Sequence, residues 1–377
     1  MSFFSKLSGL KKVKRILPVS SRSFHGYEGE FRETLQQVSG QLSARDAQIN
    51  DLRREIGDMR SRLDQLQEKH EYEEDRQMML FWAAYQKPGE ALEETKLRFF
   101  RSLPEASGND RLFQKAELKL FTEFIDVCAE HGITYWSIAG TLLGAYRHHG
   151  MIPWDDDIDV LIPRDDLQRL RAAVRDDPRY RITELWDWNV VCRQIRFRLA
   201  DADNPVFVDL FPMDWSGGDY RSAYEANQLI RRQFVRECRE KFAGTGWERS
   251  PYMPVGQPLA DEVDAMYDQA YKASAGISHI LPDRSGATGI IYGIENLDER
   301  RPSGPYPIGD WLPVQGMGFE GLTIAVNPGW RNYLSAMYGD YLSIPQDIHS
   351  HNHVDKREIY SDKTVRVLTR YISESEG

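Results

Sequence analysis

Cysteine is scarce in this chain. Cys128, Cys192 and Cys238 are the only three among 377 residues, far apart and in no metal-ligand spacing. That excludes a disulfide framework and a cysteine-held zinc site, and it suits a reducing compartment with the thiols in the core. Long apolar runs are missing too, so no bilayer-spanning helix is expected. The apolar stretch near the start is cut short by charges, so no secretory signal is expected. Net positive charge is lacking. A formal charge of −10 argues against nucleic acid as a partner. These absences point to a cytoplasmic protein with no repeat other than the heptads described next.

The charge that is present is unevenly placed. Residues 1–24 carry Lys6, Lys11, Lys12, Lys14, Arg15 and Arg22 and no acid, with Phe3, Phe4, Leu7, Leu10, Val13 and Leu17 at helical spacing. Such a segment either lies on the inner face of an anionic membrane, as a peripheral contact, or is a basic tail. Residues 28–82 follow a heptad rule. Leu35, Leu42, Ile49, Ile56 and Leu63 hold the a positions, and Val38, Leu52, Met59 and Leu66 the d positions, with Arg45 the one polar seam residue. The pattern predicts a coiled coil and a homo-oligomer, with a long helix packed on the rest of the chain as the alternative. Residues 83–110 read as linker, and residues 111–377 as a catalytic domain.

That domain holds the chain's most informative stretch. Gly140-Thr141 opens a short helix that includes Arg147, a loop follows, and Asp155, Asp156, Asp157 and Asp159 then head an apolar run. Acids at this density repel one another, so a fold that gathers them answers a cation. Asp157 and Asp159 share a face if both lie on a strand, and hard oxygen ligands suit Mg2+ or Mn2+. Thr141 reads as the helix N-cap, and a helix start with free N–H groups binds phosphate. Further on, Asp209 sits alone in the apolar run Val206-Phe207-Val208-Asp209-Leu210-Phe211. A carboxylate there needs a metal or an ion pair, with Arg196 or Arg198 as partner.

The motif from Gly140 to Asp159 resembles the LicD family, whose relatives include the fukutin-type proteins. The likeness takes in the helix from Glu117 to Cys128, Val208-Asp209-Leu210-Phe211-Pro212, Phe319-Glu320-Gly321 and Tyr338-Gly339-Asp340-Tyr341. One departure is Ala139, where the family often has glycine. The resemblance implies an α+β fold: a nucleotidyltransferase-like mixed sheet with flanking helices, here preceded by the coiled-coil helix. It also implies a metal-dependent phosphotransferase that moves a phospho-alcohol from a CDP-activated donor to a sugar. Phosphocholine is the first choice of cargo, with ribitol and glycerol phosphate as alternatives, and the acceptor is a sugar or lipid-linked glycan of the cell surface. Asp209 becomes the third acid of the site by the same resemblance.

The expected site is therefore Asp157, Asp159 and Asp209 as metal-holding and catalytic acids, with Asp155 and Asp156 supporting them. Gly140, Thr141, Arg147, Arg196, Arg198 and Lys356 are candidates for contact with the donor phosphates. His349, His351 and His353 alternate, which fits either a metal site on a strand or a polar loop. Trp154, Trp186, Trp188, Trp215, Tyr292 and Trp311 are available to face a quaternary ammonium, though most should be core. Competing readings are a nucleotidyl or sugar transferase, and an inactive coiled-coil scaffold. The intact set of acids argues against the scaffold.

Overall fold

The computed structural model of the protein describes residues 21–277, 279–296, 304–345 and 360–374. Most of the basic segment 1–24, the three alternating histidines and Lys356 lie outside the described residues. The chain divides after Tyr85 into two compact units.

The first unit is one helix, α1 (Ser21–Tyr85). Its 65 residues would extend about 100 Å at the α-helical rise. The nine apolar seam positions from Leu35 to Leu66 are 45–64% exposed. Ion pairs along the helix, such as Arg76 with Glu73 at 3.4 Å, are exposed and contribute little. Helices draw most of their stability from packing an apolar face, and this face is uncovered in the single chain.

The second unit opens with α2 (Leu92–Arg101) and α3 (Gly108–His131). The span read as linker thus contains a helix, which buries Thr95 and Phe100. The sheet begins at β1 (Trp136–Ser137), followed by α4 (Ala139–Arg147), β2 (Asp159–Pro163) and α5 (Arg164–Arg175). Next come β3 (Tyr180–Asp187), β4 (Cys192–Leu199), β5 (Phe207–Gly217) and α6 (Tyr220–Phe242). After α7 (Gly246–Arg249), β6 (Tyr252–Pro254) and α8 (Pro258–Ala275), the short strands β7 (Ile280–Leu281), β8 (Ala287–Tyr292) and β9 (Tyr306–Pro307) complete the sheet. A hairpin of β10 (Gln315–Phe319) and β11 (Leu322–Val326) stands apart, before α9 (Trp330–Tyr338) and α10 (Asp362–Ser373).

The strand order is β1-β2-β5-β4-β3-β6, with β7 and β8 on the far half of β5. β2 and β5 run parallel, and the other pairs are antiparallel. β5 is central and nearly continuous in apolar residues at its start, as a strand covered on both faces should be. This is the expected α+β arrangement of a mixed sheet with flanking helices and a long helix before it. One core joins α3, β2, β5 and the β10–β11 hairpin, and a second gathers Trp186, Trp188, Phe234, Trp247 and Tyr267.

The first strand pairs only at Trp136 and Ser137. The helix α6 starts at Tyr220, because Asp214, Trp215 and Ser216 still pair with β8. Gly218 (φ 57°) then turns the chain, and Asp219 caps α6 by accepting from the N–H groups of Arg221 and Ser222. Asp214 thus belongs to β5. It is a strand residue paired with Arg164, whose guanidinium also binds Glu295 at 2.6 Å.

Candidate metal centre

Two parallel strands bring the acids together. Asp159 and Asp209 are direct partners across β2 and β5, and Asp209 N–H donates to Ile158 C=O at 2.9 Å. Asp157 precedes β2 by two residues and joins them from the loop before the strand. One carboxylate oxygen from each of Asp157, Asp159 and Asp209 lies within 4.8 Å of the others, and all three residues are buried. Three hard anionic donors converging in this way fit a divalent cation of the Mg2+ or Mn2+ kind.

Arg196 faces Asp209 across β4 and β5, and its Nε donates to Asp209 Oδ1 at 2.9 Å. The guanidinium also rests on the Phe207 ring, 3.7 Å from its centre. Both anticipated partners of Asp209 are thus in play: an ion pair and a place among metal-fitting acids. Arg198 points elsewhere, to the carbonyls of Asn204 and Pro205 in the β4–β5 turn.

The start of α4 is built differently from its sequence reading. Ile138 is the N-cap, not Thr141. The Thr141 hydroxyl is buried and accepts from Asp159 N–H at 2.8 Å, so it fastens the helix to the head of the acidic strand. A threonine in the first turn can serve either a cap or a neighbouring strand, and here the N–H at the head of the strand takes it. Asp155 lies so close over Gly140 that a Cβ there would collide with its carboxylate. Ala139 has a φ of 48°, a left-handed conformation that favours glycine.

Arg147 is only 4% exposed. Its guanidinium stacks on Phe100 at 4.3 Å and donates to Tyr341 C=O at 3.2 Å, an anchor between α2, α4 and the segment after α9. Burial lowers its pKa to about 10, against the pull of Tyr338 and Asp155. Burial, then the Arg147 charge, also pushes His148 down to about 3.

The loop between α4 and the acids is pinned from two sides. Gln114 on α3 donates to Ile152 C=O at 3.1 Å and Asp155 C=O at 2.9 Å. Glu320, at the tip of the β10–β11 hairpin, accepts from Met151 N–H at 3.1 Å and pairs through both oxygens with Arg111. The turn Glu320-Gly321 has positive φ at both residues, the geometry a two-residue hairpin requires.

Sequence reading gave no role to Glu117. It is fully buried on α3, between Phe113 and Phe121 on the apolar face. A glutamate inside an otherwise apolar stripe was the available signal. Of the aromatics considered for an ammonium site, Trp186, Trp188, Trp215, Tyr292 and Trp311 are core, and Trp154 is half-buried, edge-on to His148. Tyr146, Trp330 and Tyr341 form a further aromatic cluster, with Arg331 against the first two rings and bonded to Glu93. The three cysteines are free and buried, with burial pushing Cys192 and Cys238 up to about 12. No described helix is long and apolar enough to cross a membrane.

Comparison with known proteins agrees with this geometry. Residues 132–242 match the LicD/FKTN/FKRP nucleotidyltransferase domain. It is 25% identical over 249 residues to the lipopolysaccharide cholinephosphotransferase LicD of Haemophilus influenzae, covering 61% of this chain and 90% of that protein. It is 33% identical over 91 residues to the ribitol 5-phosphate transferase FKRP of Homo sapiens, covering 23% of this chain and 18% of that protein. An uncharacterized protein of Rickettsia typhi is 42% identical over 59 residues, 15% of this chain and 19% of that protein.

Proposed function

We propose that this LicD-family domain is a metal-dependent phosphotransferase. It moves a phospho-alcohol, phosphocholine first among the candidates, from a CDP-activated donor to a sugar of a surface glycan. The observation that carries the reading is the convergence of Asp157, Asp159 and Asp209 within 4.8 Å beside the start of α4. The cholinephosphotransferase and the ribitol 5-phosphate transferase among its relatives support the class of cargo.

Asp157 and Asp159 would hold the cation, Mg2+ or Mn2+, with Asp209 as third ligand. Bound there, the cation would neutralise diphosphate charge and stabilise departing CMP. Arg196 fixes the direction of the Asp209 carboxylate by sharing one of its oxygens. Thr141 holds the strand head against the helix, so the acids and the helix start keep one spacing. Asp155, over Gly140, and the buried Asp156 supply further negative charge around the three. Gly140 and Thr141 would contact donor phosphate through their backbone N–H groups. Arg147, Arg198 and Lys356 remain candidates for phosphate contacts on substrate binding. For the first two this requires giving up the carbonyls they now hold.

The seam of α1 would pair copies of the chain, and residues 1–17 would bring them to an anionic membrane surface from the cytoplasm, near a lipid-linked acceptor. Mixing the purified protein and Mg2+ with CDP-choline, CDP-ribitol or CDP-glycerol, with and without candidate sugars, tests the activity. CMP release from one donor, abolished by EDTA, is expected. Release unaffected by EDTA, or from none of the three, would overturn the proposal.

A further inference from the structure

Glu117 has costly surroundings for a carboxylate. Its exposure is 0%, and neither carboxylate oxygen has a hydrogen-bond partner among the described residues. A buried carboxylate without donors is ordinarily neutralised or paired, since its desolvation is otherwise uncompensated. Here the charges that act on it are all of its own sign. Burial, then Asp157, Asp156, Asp155 and Asp209 in that order, drives its pKa well above the ordinary carboxylate value.

Its position is fixed by geometry. Gln114 lies three residues earlier on the same face of α3, and its amide already bridges Ile152 C=O and Asp155 C=O. That face of the helix therefore packs on the loop that delivers the acids. Glu117 does not belong to the group of acids whose oxygens lie within 4.8 Å of one another. Among those acids Asp157 acts on it most strongly.

We infer that Glu117 is a positioning residue of the cation centre, its two oxygens accepting hydrogen bonds from water molecules bound to the divalent ion. The inference rests on the cation reading above. Mg2+ and Mn2+ keep several waters when held by few carboxylates, and those waters need acceptors in the surrounding shell. Glu117 offers two acceptors and lacks two donors. The same residue is then a burden to the empty site and an asset to the filled one.

That reversal of sign gives the test. Mn2+ binding to the full chain is measured by titration calorimetry, and thermal unfolding is followed with and without Mn2+, for wild type, Glu117→Gln, Glu117→Asp and Asp157→Asn. Loss of an outer-shell partner weakens metal binding about 10–100-fold. Glu117→Gln should show such a loss, yet unfold at a higher temperature than wild type when metal is absent, because the unpaired carboxylate is gone. Glu117→Asp keeps the charge and should recover part of the affinity. Unchanged affinity in Glu117→Gln, or lower metal-free stability in it, would overturn the inference, since a merely structural glutamate gives that result. If Glu117→Gln fails to fold, equal affinity of Glu117→Asp and wild type would overturn it, and a loss of about tenfold would support it. If wild type binds no Mn2+, or binds it as Asp157→Asn does, the cation reading itself fails.

Discussion

Asp159 and Asp209 face each other across the parallel β2–β5 ladder, fifty residues apart in sequence and adjacent in register. A parallel pair of strands places equivalent residues at one level. Two acids at one level, with Asp157 added from the loop, form a cup whose shape is set by backbone pairing. Its geometry should therefore survive neutral substitutions of the acids themselves.

Asp157→Asn and Asp159→Asn should each lower CMP release by about 10²–10³ or more, because the charge that holds the cation also stabilises the leaving group. Far-ultraviolet circular dichroism should be unchanged. Wild-type turnover in either variant would contradict the assignment.

Ala139 sits at a φ of 48°. An L-residue with a Cβ pays roughly 1–2 kcal/mol for that conformation, part of which glycine gives back as unfolded-chain entropy. Ala139→Gly should stabilise the fold by about 1 kcal/mol and raise the melting temperature by about 2 °C. A lower melting temperature would show that the left-handed reading of this residue is mistaken.

His148 predicts a pH effect. Its folded pKa, about 3, lies below the unfolded value of roughly 6.5. The unfolded chain therefore binds the extra proton first. The stability contributed by the neutral ring is complete above about pH 6.5 and is lost as the pH falls from there towards 3. Urea unfolding of wild type and His148→Asn at pH 7 and pH 5 should show a gap that narrows by about 1 kcal/mol at the lower pH, discounted for the ring's partial exposure. A gap independent of pH would refute it.

The seam of α1 predicts association. Light scattering should give a multiple of the chain mass for the full protein and a single mass for a chain starting at Gln86. Ile49→Asp with Ile56→Asp should bring the full protein down to the monomer. Identical monomeric masses for both lengths would dispose of the coiled coil.

Much of this site was legible in the sequence. Asp209 is a polar interruption of an apolar strand, and Asp157 and Asp159 belong to an acidic run at the head of another; burial makes such placements informative. The heptads were legible as spacing alone, and the helix they predict is present as α1, with its seam exposed. The role of Thr141 was not legible, because a hydroxyl in a first helical turn looks the same whether it serves its own helix or the neighbouring strand. The enclosure of Arg147 was not legible, because nothing local reveals that Phe100 and Tyr341 surround it. Nor was the pairing of Asp214, whose partners, Arg164 and the strand β8, come from distant parts of the chain. What was hidden turned on long-range contacts, and what was legible on local pattern.

The grip of Glu320 on the loop before the acids has a consequence for synthesis. Glu320 accepts from Met151 N–H across 169 residues, and its other partner, Arg111, lies 209 residues before it. The segment that matches the family model, 132–242, leaves the ribosome with Asp157, Asp159 and Asp209 in place, while Glu320 is still to be made. A nascent chain halted there would have the three acids and lack their bracing. Cation binding should therefore be acquired late in translation, when the β10–β11 hairpin emerges, which would keep a half-made protein from trapping metal or nucleotide.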